Sequence, residues 1–313
     1  MKKLEVVPIG SQHPSSRSRA VVAAVLALSV FACGTDDDAG APPRPVAVLS
    51  AFPAELAPLV VQATISKKIT IDGRVFRIGR LGGVPVVLAL TGVGLVNAGN
   101  TTRTLLDNFD VAGIVVSAVA GSTLRIGDVV VPTTWRFKGA ATAYPATPKW
   151  LDMANAIAVS GTVSFEHCLI VPDVSPDVPV CLLHQPAITV GGVGESSDTF
   201  GSVPQPCQLG GGDILGCDDE LDAPTAAASN GSVRGAAAAV AADAPIAKDM
   251  ETAAIAREVA AHGVPFIAFR AVSDGAGDPL NLPPFPIQFA VYYKLAAHNA
   301  AAATVAFLER LKP

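Results

Sequence analysis

The sequence predicts one α/β domain on a mixed, largely parallel, twisted central sheet with helices on its faces. Three observations carry that expectation. Apolar runs of strand length alternate with helical stretches from Val46 to the C-terminus, the order that builds a sheet between helix layers. Several of those runs are apolar throughout, as strands covered on both faces are. Half of the 313 residues are hydrophobic (50%) and only 16% are charged, ample for a large core.

Val46 to Ser50 is a short apolar strand, and a helix is expected over Glu55 to Ile65, limited by Pro53 and Pro58. Val75–Ile78 and Val84–Leu90 are strands flanking Gly82-Gly83, followed by a helix over Ala98–Asn108. Ile114–Ala120 is a buried strand, Val129–Val131 follows the Gly127-Asp128 turn, and Ile188–Val193 is a further apolar run. Ala253, Ala254, Ile255, Val259 and Ala260 make a small-residue helix that Gly263 ends, the strand Val264–Val272 follows, and a long helix over Gln288–Leu311 closes the fold.

The first 45 residues are expected to lie outside this domain. Lys2, Lys3, Arg17 and Arg19 precede an apolar run, Ala20–Ala32, too short to cross a bilayer as a mature helix. The run ends in Leu28-Ser-Val-Phe-Ala-Cys33, which looks like a lipoprotein signal over residues 1–32 with Cys33 as the lipid-bearing residue. An ordinary secretory signal is the other reading, and both imply export to the cell envelope. Residues 33–45, with three successive aspartates and several prolines, read as a solvated tether before the domain at 46–313.

Cysteine usage agrees with export. Cys168, Cys181, Cys207 and Cys217 allow three pairings, of which the local ones, 168 with 181 and 207 with 217, close short loops in Pro-, Gly- and Asp-rich stretches. Zinc is the rival reading, but the spacings are not CxxC and His167 alone adds little. No metal or cofactor is expected.

The chemistry concentrates in Lys248–Pro279. Asp249-Met250-Glu251 opens the small-residue helix, and Ser273-Asp274-Gly275 lies on a loop at the exit of the strand. Two carboxylates, Glu251 and Asp274, thus stand at ends of rigid elements, where α/β sites form. Met250-Glu251, Ala254-Ile255-Ala256, Val264-Pro265-Phe266 and Arg270-x-x-Ser273-Asp274 together resemble, in order and spacing, the nucleoside phosphorylase/nucleosidase family, and most closely the 5′-methylthioadenosine/S-adenosylhomocysteine nucleosidases. Thr91-Gly92-Val-Gly94-Leu-Val-Asn97 supplies a second segment of the resemblance, Ser117–Gly121 a third with Ala118 in place of a glycine, and Glu195-Ser-Ser-Asp198-Thr-Phe200 a fourth. The likeness weakens near 140–190 and 201–245, where insertions are expected.

That resemblance implies a purine nucleosidase fold and three catalytic groups. Asp274 would protonate the leaving base, its pKa lifted by partial burial and neighbouring carboxylates. Glu251 would accept the ribose hydroxyls and offset positive charge growing on the sugar. Glu55, alone where the family carries several acids, would orient water. Thr91 and Arg270 would hold the water or sugar end. Gly92, Ser273, Met250, Asp198 and Phe200 would line the site, with Phe200 stacking on the purine, although Phe200 and Met250 are also good core residues. Family members are commonly homodimers.

A place where phosphorylases of this family carry a phosphate-binding arginine is Val116 here, which favours water over phosphate as the nucleophile. Phosphorolysis, and an envelope protein that binds nucleosides without turnover, are the alternatives. With a net charge of −5, no basic stripe and 5% aromatics, the composition argues against nucleic acid as a partner. No Gly-x-Ser-x-Gly elbow is present. The expected partner is a small purine nucleoside, with the membrane reached only through a lipid anchor.

Overall fold

A computed structural model describes residues 43–171, 175–218, 221, 232–233 and 245–312. The expected signal, Cys33 and most of the tether lie outside the described residues, as does much of the second expected insertion.

Strand β1 (Val46–Ser50) leads into helix α1 (Pro53–Gln62), and strands β2 (Thr64–Ile71), β3 (Arg74–Leu81) and β4 (Val84–Leu90) follow as a meander. Helix α2 (Leu95–Asn108) precedes the long strand β5 (Gly113–Arg125). Then come β6 (Val129–Val131), β7 (Thr134–Phe137), β8 (Ala143–Pro145), α3 (Pro148–Ser160), β9 (Phe165–Glu166), β10 (Cys168–Val171) and β11 (Ser175–Cys181). Next are β12 (Ile188–Val190), β13 (Val193–Ser196), the single-turn α4 (Gly212–Leu215) and β14 (Ser232–Val233). The chain ends with β15 (Pro245–Asp249), α5 (Thr252–His262), β16 (Phe266–Ala276) and α6 (Ile287–Arg310).

The main sheet runs β2-β3-β4-β1-β5-β15-β13-β7-β8, with β16 joining β5 to β6 and β6 pairing β12. Pairs β1–β4, β1–β5, β5–β16, β6–β12, β7–β13 and β13–β15 are parallel, and the meander, β15–β5, β16–β6 and β7–β8 are antiparallel. The sheet is therefore mixed and its centre is parallel.

Side-chain alternation divides the core between two faces. Val46, Val48, Leu88, Val115, Ile267 and Phe269 pack with α1, α3 and α6, while Ala47, Leu49, Val87, Ile114, Val116 and Ala268 pack with α2 and α5. That two-sided burial is why these strands read as unbroken apolar runs.

Several elements depart from expectation. Helix α1 begins at Pro53, which suits a first-turn position, and ends before Thr64, so residues 64 and 65 belong to β2. The run Ile188–Val193 is two strands, because Gly191 and Gly192 take φ of 137° and 65° and redirect the chain from β6 to β7. Within residues 140–190, Trp150, Ala154, Ile157 and Ala158 of α3 are core residues, and β10 and β11 form a separate hairpin tied by Cys168–Cys181. A second disulfide joins Cys207 to Cys217. Among the described residues no helix is long and apolar enough to cross a membrane.

Candidate active site

Strand β5 is the axis of the site. The Val119 amide donates to Glu55 Oε1 at 2.8 Å, and the Val119 carbonyl accepts from Arg270 Nη1 at 2.8 Å. Two residues on, Gly121 is the register partner of both Asp274 and Lys248. Strands β1, β15 and β16 thus bring their C-terminal ends to one point, and the crevice outside such ends is where open α/β sheets bind ligands.

Glu55 enters from the first turn of α1. It is 1% exposed, and its Oε2 accepts from the Ala51 amide at 2.6 Å. Burial, with Glu251 adding like charge, pushes its carboxyl up to about 8, against the pull of Arg270.

Glu251 occupies the N-cap position of α5 without capping that helix. Asp249 does so instead, accepting from the Thr252 amide and from Glu251 N–H, each at 3.3 Å. The cap leaves the Glu251 carboxylate free to turn towards the glycine turn before α2, where Oε1 accepts from the Gly94 amide at 2.9 Å. Gly94 has φ 97°, a conformation that side chains rarely adopt. Burial raises the Glu251 pKa, with Arg270 opposing and Asp249 adding to the rise.

Asp274 is not on a loop. Strand β16 continues through it to Ala276, with register breaks on either side of Asp274 that turn the strand out of line. Its Oδ1 accepts from Ser273 Oγ at 2.8 Å. Burial alone lifts its pKa, and the Ser273 hydroxyl opposes the lift. No carboxylate contributes, contrary to the expectation from sequence. Gly121 makes the room: a Cβ there would stand 2.6 Å from Asp274 Oδ2.

Arg270 lies beneath the carboxylates, with its side chain 1% exposed. It meets Asp249 at 2.8 Å and Glu251 at 3.4 Å, and donates to Thr252 Oγ1 at 2.6 Å. Thr91 is buried too; its amide donates to the Ser50 carbonyl at 2.8 Å, tying β4 to β1 below the site. Arg270 therefore supports Glu251, and Thr91 fixes the end of β4 where the Gly92–Gly94 turn begins. Gly92 has φ 77°, and a Cβ there would stand 3.0 Å from Asn97 Nδ2; Met250 is half-buried with its amide 3.3 Å from Glu251 Oε2.

Asp198 orders the glycine turn, accepting from the Leu95 amide at 2.6 Å and supplying the cap that Gly94 lacks. The Phe200 ring covers that turn, since a Cβ on Gly94 would meet it at 2.8 Å. Val116 is buried in the sheet at 1% exposure.

Asp249 is not among the site residues expected from the sequence. It is the hub, accepting also from the hydroxyls of Ser196 and Thr252 in short hydrogen bonds. The signal was available: an arginine in the apolar run Val264–Val272 has to be paired when buried, and Asp249 precedes Glu251 by two residues. Among the described residues, His167, Cys168 and Cys181 form a group close enough to share a metal, but both sulfurs are in the disulfide.

The phosphorylase superfamily profile matches residues 45–163. A 5′-methylthioadenosine/S-adenosylhomocysteine nucleosidase of Tolumonas auensis is 28% identical over 271 residues, spanning 85% of this chain and 99% of that protein. An uncharacterised protein of Mycobacterium tuberculosis is 34% identical over 186 residues, covering 54% of this chain and 74% of its own length. The fold is similar to that of the Neisseria meningitidis 5′-methylthioadenosine/S-adenosylhomocysteine nucleosidase in complex with methylthio-immucillin-A, at TM-score 0.58 and 21% identity over 85% of this chain and 99% of the other. The site's three carboxylates stand on segments that span the same α/β fold, and the chain belongs to the phosphorylase superfamily, close to its 5′-methylthioadenosine/S-adenosylhomocysteine nucleosidases.

Proposed function

We propose that the chain is an exported purine nucleosidase, which hydrolyses the N-glycosidic bond of an adenine-type nucleoside or 5′-thionucleoside to free base and sugar. At the family level it is a nucleosidase, an N-glycosyl hydrolase. The observation that carries the finer reading is that Glu55 binds the Val119 amide, Arg270 links the Val119 carbonyl to Glu251, and Asp274 lies in register with Gly121, each carboxyl with its pKa raised by burial.

Breaking this bond needs a better leaving group, a stabilised sugar cation and an aimed nucleophile. Asp274, its pKa raised by burial, gives a proton to the base as the bond to the sugar breaks. Glu251, fixed by the Gly94 amide and Arg270, accepts the ribose hydroxyls and offsets charge at the sugar. Glu55 takes a proton from the attacking water, and a carboxylate raised to about 8 is a strong base once ionised. The water oxygen bonds to the sugar carbon that the base leaves. Arg270 and Thr91 act as positioning residues, with Met250, Phe200, Asp198, Gly92 and Ser273 around the substrate. Val116 in the core offers no phosphate cation, which favours water.

Export as a lipoprotein through Cys33, and a homodimer, complete the reading. Lipid labelling lost in Cys33→Ala, and a dimer mass in solution, are the expected results. The deciding experiment is base release from adenosine, inosine and methylthioadenosine with and without phosphate. Release without phosphate supports hydrolysis. Release only with phosphate makes the protein a phosphorylase, and nucleoside binding with no release makes it a binding protein.

A further inference from the structure

Residues 197–218 leave β13 beside the site and return to the meander, crossing the ground between α2 and α6. Beyond Ile214, which packs against the core, and the buried Cys217, little apolar burial holds them: Val203, Leu209 and Leu215 are 61%, 83% and 49% exposed. Polar pins hold them instead. Asp198 caps α2, and the Gln205 carbonyl accepts from Asn97 Nδ2 at 2.6 Å. Asp213, on α4, pairs with Lys294 at 2.5 Å and accepts from Tyr293 Oη at 3.2 Å, both on α6. Asp218 meets Arg77 of β3 at 2.6 Å, and that guanidinium is 1% exposed. Helix α4 also rests on α1, the helix that carries Glu55.

Between the second and fourth pins lies Cys207–Cys217. Solvent-facing ion pairs such as Asp213–Lys294 hold a chain weakly. A cross-link removes open conformations of the loop that such pairs leave populated. A wall ordered before the ligand arrives leaves less ordering to be done on binding. At its root the segment carries Phe200, packed on the Gly94 turn whose amide holds Glu251.

We propose that residues 197–218 are a disulfide-locked strap over the site, and that Cys207–Cys217 sets the affinity for the nucleoside without touching the chemical step. The proposal rests on the nucleosidase reading for its ligand class. None of Glu55, Glu251 and Asp274 belongs to the strap, and Asp198 and Phe200, which hold the Gly94 turn, lie outside the 207–217 disulfide loop, so its loosening acts on KM and not on kcat.

The test uses the full chain in three forms: wild type, Cys207→Ser/Cys217→Ser, and Cys168→Ser/Cys181→Ser as the control. Base release gives kcat and KM. Calorimetry with a purine C-nucleoside, whose carbon–carbon link resists hydrolysis, gives Kd independently of turnover. Loss of Cys207–Cys217 is expected to raise KM and Kd about tenfold with kcat within about twofold, as for a lost pre-organised wall. The control pair leaves all three constants in place. Unchanged KM and Kd in the strap variant overturn the proposal, as does an equal rise in the control. Should the strap variant fail to fold, Asp213→Asn frees the strap from α6 with the disulfide intact and carries the same expectation. Weakened Kd with no base release in any form keeps the strap and removes the nucleosidase reading. Base release with Kd unchanged in the strap variant does the reverse, and neither release nor binding by the wild type overturns both.

Discussion

Asp249 and Arg270 form an ion pair at 2.8 Å with both side chains 1% exposed, directly beneath Glu251. A buried pair of this kind gives little net stability over an apolar substitute, but breaking it leaves an uncompensated charge. Its place suggests a purpose in holding Glu251. Arg270 reaches Glu251 at 3.4 Å from the same nitrogen that faces Asp249.

Asp249→Asn separates charge from capping, because asparagine still caps a helix N-terminus. The variant is expected to lose about 3 kcal/mol of stability, read as a Tm lowered by roughly 6–12 °C. The kcat pH profile should move as well, since Asp249 is among the charges that raise the Glu251 pKa. A lowered Tm with an unmoved profile would make Asp249 a scaffold residue only.

Asp274→Asn removes the proton donor while keeping the shape of the side chain and a partner for Ser273. Turnover is expected to fall about 10²–10⁴-fold, the range for a lost general acid, with nucleoside affinity retained. Activity equal to wild type would rule out Asp274 as the acid.

Much of this site is legible in the sequence. Glu251 and Asp274 lie at ends of α5 and β16, whose helical and apolar patterns extend far enough to locate them. What escapes depends on contacts distant in sequence. Strand β2 is hidden because its Thr64–Ile71 pattern, with Lys67 and Lys68, is largely exposed. The strand placement of Asp274 depends on register breaks against β5, and the cap on α2 comes from Asp198, far along the chain. The Asp249–Arg270 pair joins two elements that only the sheet brings together.

Glu55 makes stability depend on pH in an unusual direction for a carboxylate. Its folded pKa, about 8, stands above the ordinary 4.5, so the folded state holds the proton more tightly than the unfolded chain. Its contribution is fully present below pH 4.5 and is lost as pH rises to about 8. The slope within that window approaches about 1.4 kcal/mol per pH unit. Glu55→Gln, which cannot ionise, should flatten that part of the denaturation-against-pH curve, so wild type loses stability relative to the variant as pH rises from 4.5 to about 8. A parallel pair of curves would mean that Glu55 is ionised across the range.

Gly121→Ala probes the site without removing any catalytic group. The added Cβ would stand 2.6 Å from Asp274 Oδ2, so the carboxyl has to move. Gly121 is not among the glycines with positive φ, and alanine there brings no backbone strain. Stability is therefore expected to change by about 1 kcal/mol or less. Misplacing a proton donor by an ångström costs about 10²-fold in rate, so kcat should fall steeply while Tm holds. If kcat and Tm both stay at wild-type values, the reacting base does not meet Asp274 where β16 and β5 place it. If both fall together, the strand has been disrupted and a smaller test, Ser273→Ala, becomes the cleaner measure of how Asp274 is aimed.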